Sequence, residues 1–185
     1  MKDDAELLYA YARRGDVASL TALVERHSVW MQAFLRGLVG VTDADDVFQE
    51  TWIRVIKSVA SYRGGKVKAY LATIARCAAI DRMRSAKRTV SMDALEDERG
   101  ESAAEKIEDE APAPDEKFES NATAEDVRAA VAELPEGQRQ VVLLRIEAEM
   151  AFKDIASELG VPLGTVLTWM RKATQTLKRK LGGAR

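Results

Sequence analysis

Asp46, Gln49, Glu50 and Ile53 place two carboxylates, one amide and one aliphatic side chain three and four residues apart, so a helix of 3.6 residues per turn gathers them on one face. Acceptors ringed around an apolar residue suit a basic protein partner. A merely solvated face more commonly mixes lysine with glutamate and carries no isoleucine. A second chemistry lies further along the chain. Tyr62 to Val90 holds eight basic residues against Asp81 alone, and Val161 to Arg185 holds six with no acid. Between them, Asp93 to Glu119 holds twelve acids against three bases, net -9, so the formal net charge of -2 conceals +7 on the remainder. Two cationic blocks around an acidic one suit contact with a polyanion at two places.

The same survey argues for binding rather than catalysis. His27 is the one histidine and has no cysteine partner, Asp45 and Asp46 lack a second carboxylate cluster for a metal, and no glycine-rich phosphate loop precedes a helix. No enzyme activity, cofactor or metal is therefore expected, and His27 reads as a surface or boundary residue. The single Cys77 sits in an alanine-rich helical context and reads as a small core hydrophobe. No run approaches the roughly 18 consecutive apolar residues of a membrane span. The N-terminus lacks the basic start and apolar centre of a signal peptide. A cytoplasmic protein with no direct membrane insertion is expected.

The elements that must position these residues all have helical period. Asp3 to Arg14 ends at Gly15, Asp16 to about Val39 ends at Gly40, Asp43 to Lys57 carries the acidic face, and Lys66 to Arg88 carries the first cationic block. Opposite the acidic face, Val47, Phe48, Thr51, Trp52, Val55 and Ile56 form a stripe that reads as core. Ser61 to Gly65 is a short, basic, glycine-rich break. From Thr89 to about Thr123 the apolar period disappears and prolines sit among acids, as in a flexible linker. The C-terminal part gives Ala124 to Leu134, Glu136 to about Ala148, Phe152 to Leu159 and Thr165 to Leu181. The expected fold is all-α, two small helical domains at 1-90 and 123-185 joined by a flexible acidic linker at 91-122.

Phe152 to Leu181 has helix-turn-helix arithmetic, with an eight-residue helix, Gly160 for a left-handed cap, a brief turn and a second helix. Ile155, Leu159, Val161, Val166, Met170 and Leu177 are spaced to pack inward. Leu167, Thr168, Arg171 and Lys172 then fall on the outer face of the second helix, where a recognition helix meets base edges and phosphates. Lys178, Arg179 and Lys180 extend the charge. A stand-alone helix-turn-helix regulator would share this segment, but it leaves the acidic helix and the first cationic block without a task.

In this order the pieces resemble bacterial sigma-70 family sigma factors of the extracytoplasmic function (ECF) group, from about Leu7 to Leu181. The stretches that carry the resemblance are DADDVFQETWIRV from Asp43, AYLATIAR from Ala69 with DRMR from Asp81, LPEGQR from Leu134, and GVPLGTV from Gly160. It implies that Asp46, Gln49, Glu50 and Ile53 contact the β′ clamp helices of core RNA polymerase. It also implies that Tyr62 to Arg88 takes the -10 element of promoter DNA, with Arg63, Lys66, Lys68, Arg76, Arg82, Arg84, Lys87 and Arg88 along the separated strand. Tyr62 is a candidate stacking or wedge residue, or equally a partly buried tyrosine closing a helix end. Leu167, Thr168, Arg171 and Lys172 would read the -35 element. The resemblance further implies an anti-sigma factor as inhibitor. Because the acidic linker can fold over the basic faces and each domain offers only a small footprint, the isolated protein is predicted to bind free promoter DNA weakly.

Departures from the family pattern are specific. Tyr70 stands where tryptophan is usual, and Cys77 replaces a common asparagine. Ala151 occupies a usual Ser or Thr cap position, which predicts a loss of about 1 kcal/mol at that helix start. Leu167 and Trp169 replace residues that are often basic. This predicts an unusual -35 preference, with Trp169 lying along the DNA backbone or serving a protein contact.

Overall fold

The computed structural model describes residues 2-91 and 123-182, and every regular element among them is helical. Helix α1 spans Asp4–Arg14, α2 spans Val17–Ser58 and runs into a 3-10 turn at Val59–Ser61, and α3 spans Val67–Ser91. After the acidic segment come α4 (Ala124–Ala132), α5 (Glu136–Ile146), α6 (Phe152–Leu159) and α7 (Leu163–Gly182). The expected linker at 91-122 lies, from residue 92 onward, outside the described residues.

Local chemistry sets the helix ends. Asp3 caps α1 through a reciprocal box, with Glu6 N donating to Asp3 Oδ1 at 2.7 Å and Asp3 N donating to Glu6 Oε2 at 2.9 Å. Gly15 closes α1 at φ 65°, and Asp16 then caps α2. The stop expected at Gly40 is a kink instead. Gly40 adopts φ 82° and ψ 175°, and a helix follows it directly, so the acidic face is carried on the second limb of α2.

Helix α2 is the spine against which α1 and α3 pack. Leu8, Leu23, Met31, Phe34, Leu35, Val55 and Leu71 are all at 0% exposure, each worth roughly 1.5–3 kcal/mol of transfer free energy. In the C-terminal part Val141, Leu144, Ile155, Val166 and Ala173 are equally sealed. The inward spacing of the helix-turn-helix is as expected: Ile155 and Val166 are buried, and Leu159, Val161, Met170 and Leu177 pack partly buried against them. The two halves share a boundary. Leu143 of α5 lies against Gly37 of α2, so close that a Cβ added at Gly37 would stand 2.6 Å from a Leu143 methyl.

Three expectations about burial are corrected. His27 is not at the surface but 4% exposed. Its Nδ1 accepts from the Trp30 indole at 2.8 Å, so its proton belongs on Nε2, which faces Asp4 Oδ2 at 3.0 Å. This contact, with Arg26 beside it on the same Asp4, ties α1 to α2. Burial pushes the His27 pKa below its ordinary value, and Asp4 only partly offsets that. Cys77 is exposed rather than in the core, because the buried face of α3 is the one bearing Leu71, Ala75 and Ala78. Ile56 is 40% exposed and lies one turn from Ile53, itself 44% exposed, whereas Val47, Thr51, Trp52 and Val55 are buried as expected.

Candidate protein and nucleic-acid interfaces

On the second limb of α2, Asp46, Gln49 and Ile53 are exposed and Glu50 is half-buried. On the buried side of the same limb the Thr51 hydroxyl donates to the Val47 carbonyl at 2.7 Å. Glu50 is not simply solvated. Arg54 Nε donates to its Oε1 at 2.9 Å, and Arg54 Nη1 donates to Asp81 Oδ2 of α3 at 2.7 Å. Arg54 therefore pins one acid of this face to the cationic helix, and both carboxylates strengthen its hold on its proton. Sequence reading missed Arg54 because its partner Asp81 is distant in the chain. It missed Ile56 because one helical step decides between the core and the rim. With Ile56 added, the face is an apolar pair rimmed by acceptors, the composition of a protein interface.

Tyr62 corrects the stacking expectation. It is 6% exposed, with its ring 5.5 Å from Tyr9 and 5.1 Å from Tyr70, and its hydroxyl donates to the Gly65 carbonyl at 2.6 Å. Burial raises its pKa. The reading as a tyrosine closing a helix end is the one the structure supports. Tyr70, half-buried, completes this aromatic base and hydrogen-bonds Ser58 Oγ at 2.9 Å. Gly64 and Gly65, at φ 102° and 99°, let the loop turn back so that the Gly65 carbonyl meets the Tyr62 hydroxyl.

The cations divide by what they meet. Lys66, Arg84 and Arg88 are exposed, and Arg63 Nη1 donates to the Ala60 carbonyl at 2.8 Å. The side chain of Lys87 lies outside the described residues. Arg82 turns back to α2, donating from Nη2 to Asp43 Oδ1 at 2.7 Å. Lys68 and Arg76 reach across to the C-terminal half. Lys68 Nζ donates to Glu149 at 2.7 Å while lying 5.3 Å from the centre of the Trp30 ring, and Arg76 is held by Glu158 of α6. Sequence reasoning had no means of seeing these two pairs, since each spans more than eighty residues.

In the helix-turn-helix, Gly160 takes φ 66° and the Val161 amide donates back to the Ala156 carbonyl at 3.1 Å, closing α6. The second helix opens at Leu163, two residues before the expected start. Ala151 is the cap residue of α6 and offers no side-chain bond, as its type requires. On α7, Arg171 and Lys172 are exposed and Leu167 is half-buried. Thr168, expected on the outer face, is 7% exposed, a short side chain set one turn from the long Arg171 and Lys172. Trp169 is half-buried and packs against the core. Its ring carbons would lie 2.8 Å from a Cβ at Gly137, so that glycine lets α5 and α7 approach.

Family comparison agrees with this layout. The chain matches Sigma-70 region 2 over residues 23–89 and Sigma-70, region 4 over residues 124–177. It is 31% identical over 169 residues to the ECF RNA polymerase sigma factor SigE of Mycolicibacterium smegmatis, covering 89% of this chain and 63% of that protein. It is 30% identical to the ferric citrate uptake sigma factor FecI of Escherichia coli, covering 88% of this chain and 92% of FecI. Among solved structures, the Bartonella quintana sigma factor RpoE in complex with the anti-sigma factor NepR shares the fold, with TM-score 0.67, 23% identity, and 90% and 98% of the two chains covered. The chain spans less than two thirds of SigE but nearly all of FecI. Both matched regions, in order on helices α2–α3 and α4–α7, together with 30% identity to the ECF RNA polymerase sigma factor SigM of Mycobacterium tuberculosis over 98% of this chain and 86% of that protein, show that the chain belongs to the sigma-70 family as an extracytoplasmic function sigma factor, a class that directs transcription initiation.

Proposed function

We propose that the chain docks on core RNA polymerase through Asp46, Gln49, Glu50 and Ile53, with Ile56 enlarging the apolar centre. The observation that carries this reading is the exposed acidic and apolar face of α2 within the matched region 2 segment, next to a cationic helix that starts one short loop later. Domain 1-90 then supplies α3 to the -10 element, and domain 123-185 supplies the Leu167, Arg171 and Lys172 face of α7 to the -35 element. The work is binding and strand separation, without covalent chemistry, and its place is the cytoplasm, with core polymerase. An anti-sigma factor is the expected inhibitor, supported by the fold shared with RpoE, which was solved bound to one.

The test is reconstitution with core polymerase. Wild type should co-purify with core and give promoter-specific transcripts, whereas Asp46→Arg combined with Glu50→Arg should lose both while staying folded by circular dichroism. Promoter-specific transcription that persists without polymerase binding, or wild type that never binds core, refutes the reading.

A further inference from the structure

Helix α3 has two sides. Leu71, Ala75 and Ala78 are buried on one, and helical spacing places Lys66, Thr73, Arg76, Arg84 and Arg88 together on the other. Along most of that second side the residues are open to solvent, but at Thr73 and Arg76 it is covered by α6. Glu158 Oε1 accepts from Arg76 Nη2 at 2.8 Å and from Arg76 Nε at 3.0 Å, Oε2 accepts from the Thr73 hydroxyl at 2.7 Å, and the Glu158 carbonyl accepts from Arg76 Nη2 at 3.0 Å. Both charged side chains of this pair are 15% exposed, the lowest exposure shared by any two partners of an ion pair among the described residues. A guanidinium and a hydroxyl converging on two anionic oxygens would hold a phosphodiester as readily as a carboxylate.

We propose that Thr73 and Arg76 form a seat for a backbone phosphate of the separated promoter strand, and that Glu158 fills this seat in the isolated chain. This rests on the reading of α3 as the strand-binding helix. It adds Thr73 to that surface and gives the second domain the role of internal competitor. The rest of the boundary supports closure around the same point. Lys68 is paired with Glu149, a non-glycine residue at φ 54°, and Leu143 fits the notch at Gly37. A strand phosphate and the Glu158 carboxylate cannot occupy one guanidinium fork together. Strand binding and domain separation are therefore linked, and each must favour the other.

The test uses the full-length chain, small-angle scattering for its radius of gyration, and a fluorescein-labelled single-stranded DNA oligonucleotide for affinity. Glu158→Gln should expand the chain and tighten strand binding about tenfold, because an occupied closed state lowers the apparent affinity by the fraction that is open. Arg76→Gln should expand it equally, yet bind the strand more weakly than Glu158→Gln. Adding Thr73→Val to Glu158→Gln should reverse part of the gain. Unequal strand affinities from two substitutions that open the same contact equally are the signature of a shared seat. If Glu158→Gln leaves the dimensions unchanged, or opens the chain with no gain in strand affinity, the proposal is overturned. Transcription with core polymerase is scored separately. A chain that opens and binds the strand as described but never directs initiation removes the polymerase-docking reading and leaves the Thr73 and Arg76 seat standing.

Discussion

Gly37→Ala separates closure of the two halves from folding of either one. Gly37 lies inside α2, and a Cβ there would stand 2.6 and 2.9 Å from the two Leu143 methyls and 3.3 Å from Leu143 Cγ. Leu143 is 6% exposed, so its end has little room to retreat. Forcing an extra methyl into such a contact costs about 1–3 kcal/mol. The strain exists only while α5 rests on α2. The gain from replacing glycine by alanine in a helix, about 1 kcal/mol, is present whether or not the halves touch. The closed-to-open ratio should therefore fall roughly 5- to 150-fold, while helix α2 itself is no less stable. Scattering should report a larger radius of gyration at unchanged helical ellipticity. In thermal unfolding the region 2 half should melt no earlier than in wild type. A variant that unfolds earlier at unchanged dimensions would show that Gly37 serves the core of α2 rather than the boundary, and would refute the reasoning.

Ala151→Ser should stabilise the chain by about 1 kcal/mol, read as a higher denaturation midpoint at constant slope, since it supplies the missing cap to α6. An unchanged midpoint would mean that the first amides of α6 are already satisfied. His27 is the one histidine, so its imidazole resonance is unambiguous, and its midpoint should fall below the ordinary 6.5 because burial outweighs the attraction of Asp4 while Arg26 and Lys68 add to the depression. The unfolded chain then takes up a proton that the folded chain refuses. This contribution to stability is complete above about pH 6.5 and is lost as pH falls below it, until folded His27 is also protonated. Glu147, whose pKa is raised by burial, acts with the opposite sign nearer its ordinary 4.5, so the His27 resonance rather than the overall melting curve is the decisive measurement. A midpoint at or above 6.5 would contradict the burial argument.

Helix positions and the helix-turn-helix were legible in the sequence because they depend on local chemistry. Gly15 and Gly160 adopt the left-handed caps their type allows, and the 3.6-residue period places Val47, Val55, Ile155 and Val166 inside. Errors arose where one helical step or one distant neighbour decides the outcome. Ile56 sits at the edge of its stripe and falls outward. Tyr62 carries no local sign that Tyr9, from another helix, will cover it. Cys77 lies in an alanine-rich stretch whose buried face is the next one round. His27 reads by pattern as a surface or boundary residue, and only Trp30 and Asp4 converging on its two nitrogens place it inside.

The sequence by itself determined that the chain is helical, that its charges are segregated into two cationic blocks around an acidic one, and that Asp46, Gln49, Glu50 and Ile53 share a face. Those properties follow from residue type and periodicity, which act over a few residues. Only the tertiary structure decided which charges are spoken for. Arg82 is turned to Asp43, Arg54 joins Glu50 to Asp81, and Arg76 is taken by Glu158. Whether a cation is available to DNA depends on which acid lies within hydrogen-bond reach. That distance is fixed by packing between helices far apart in the chain.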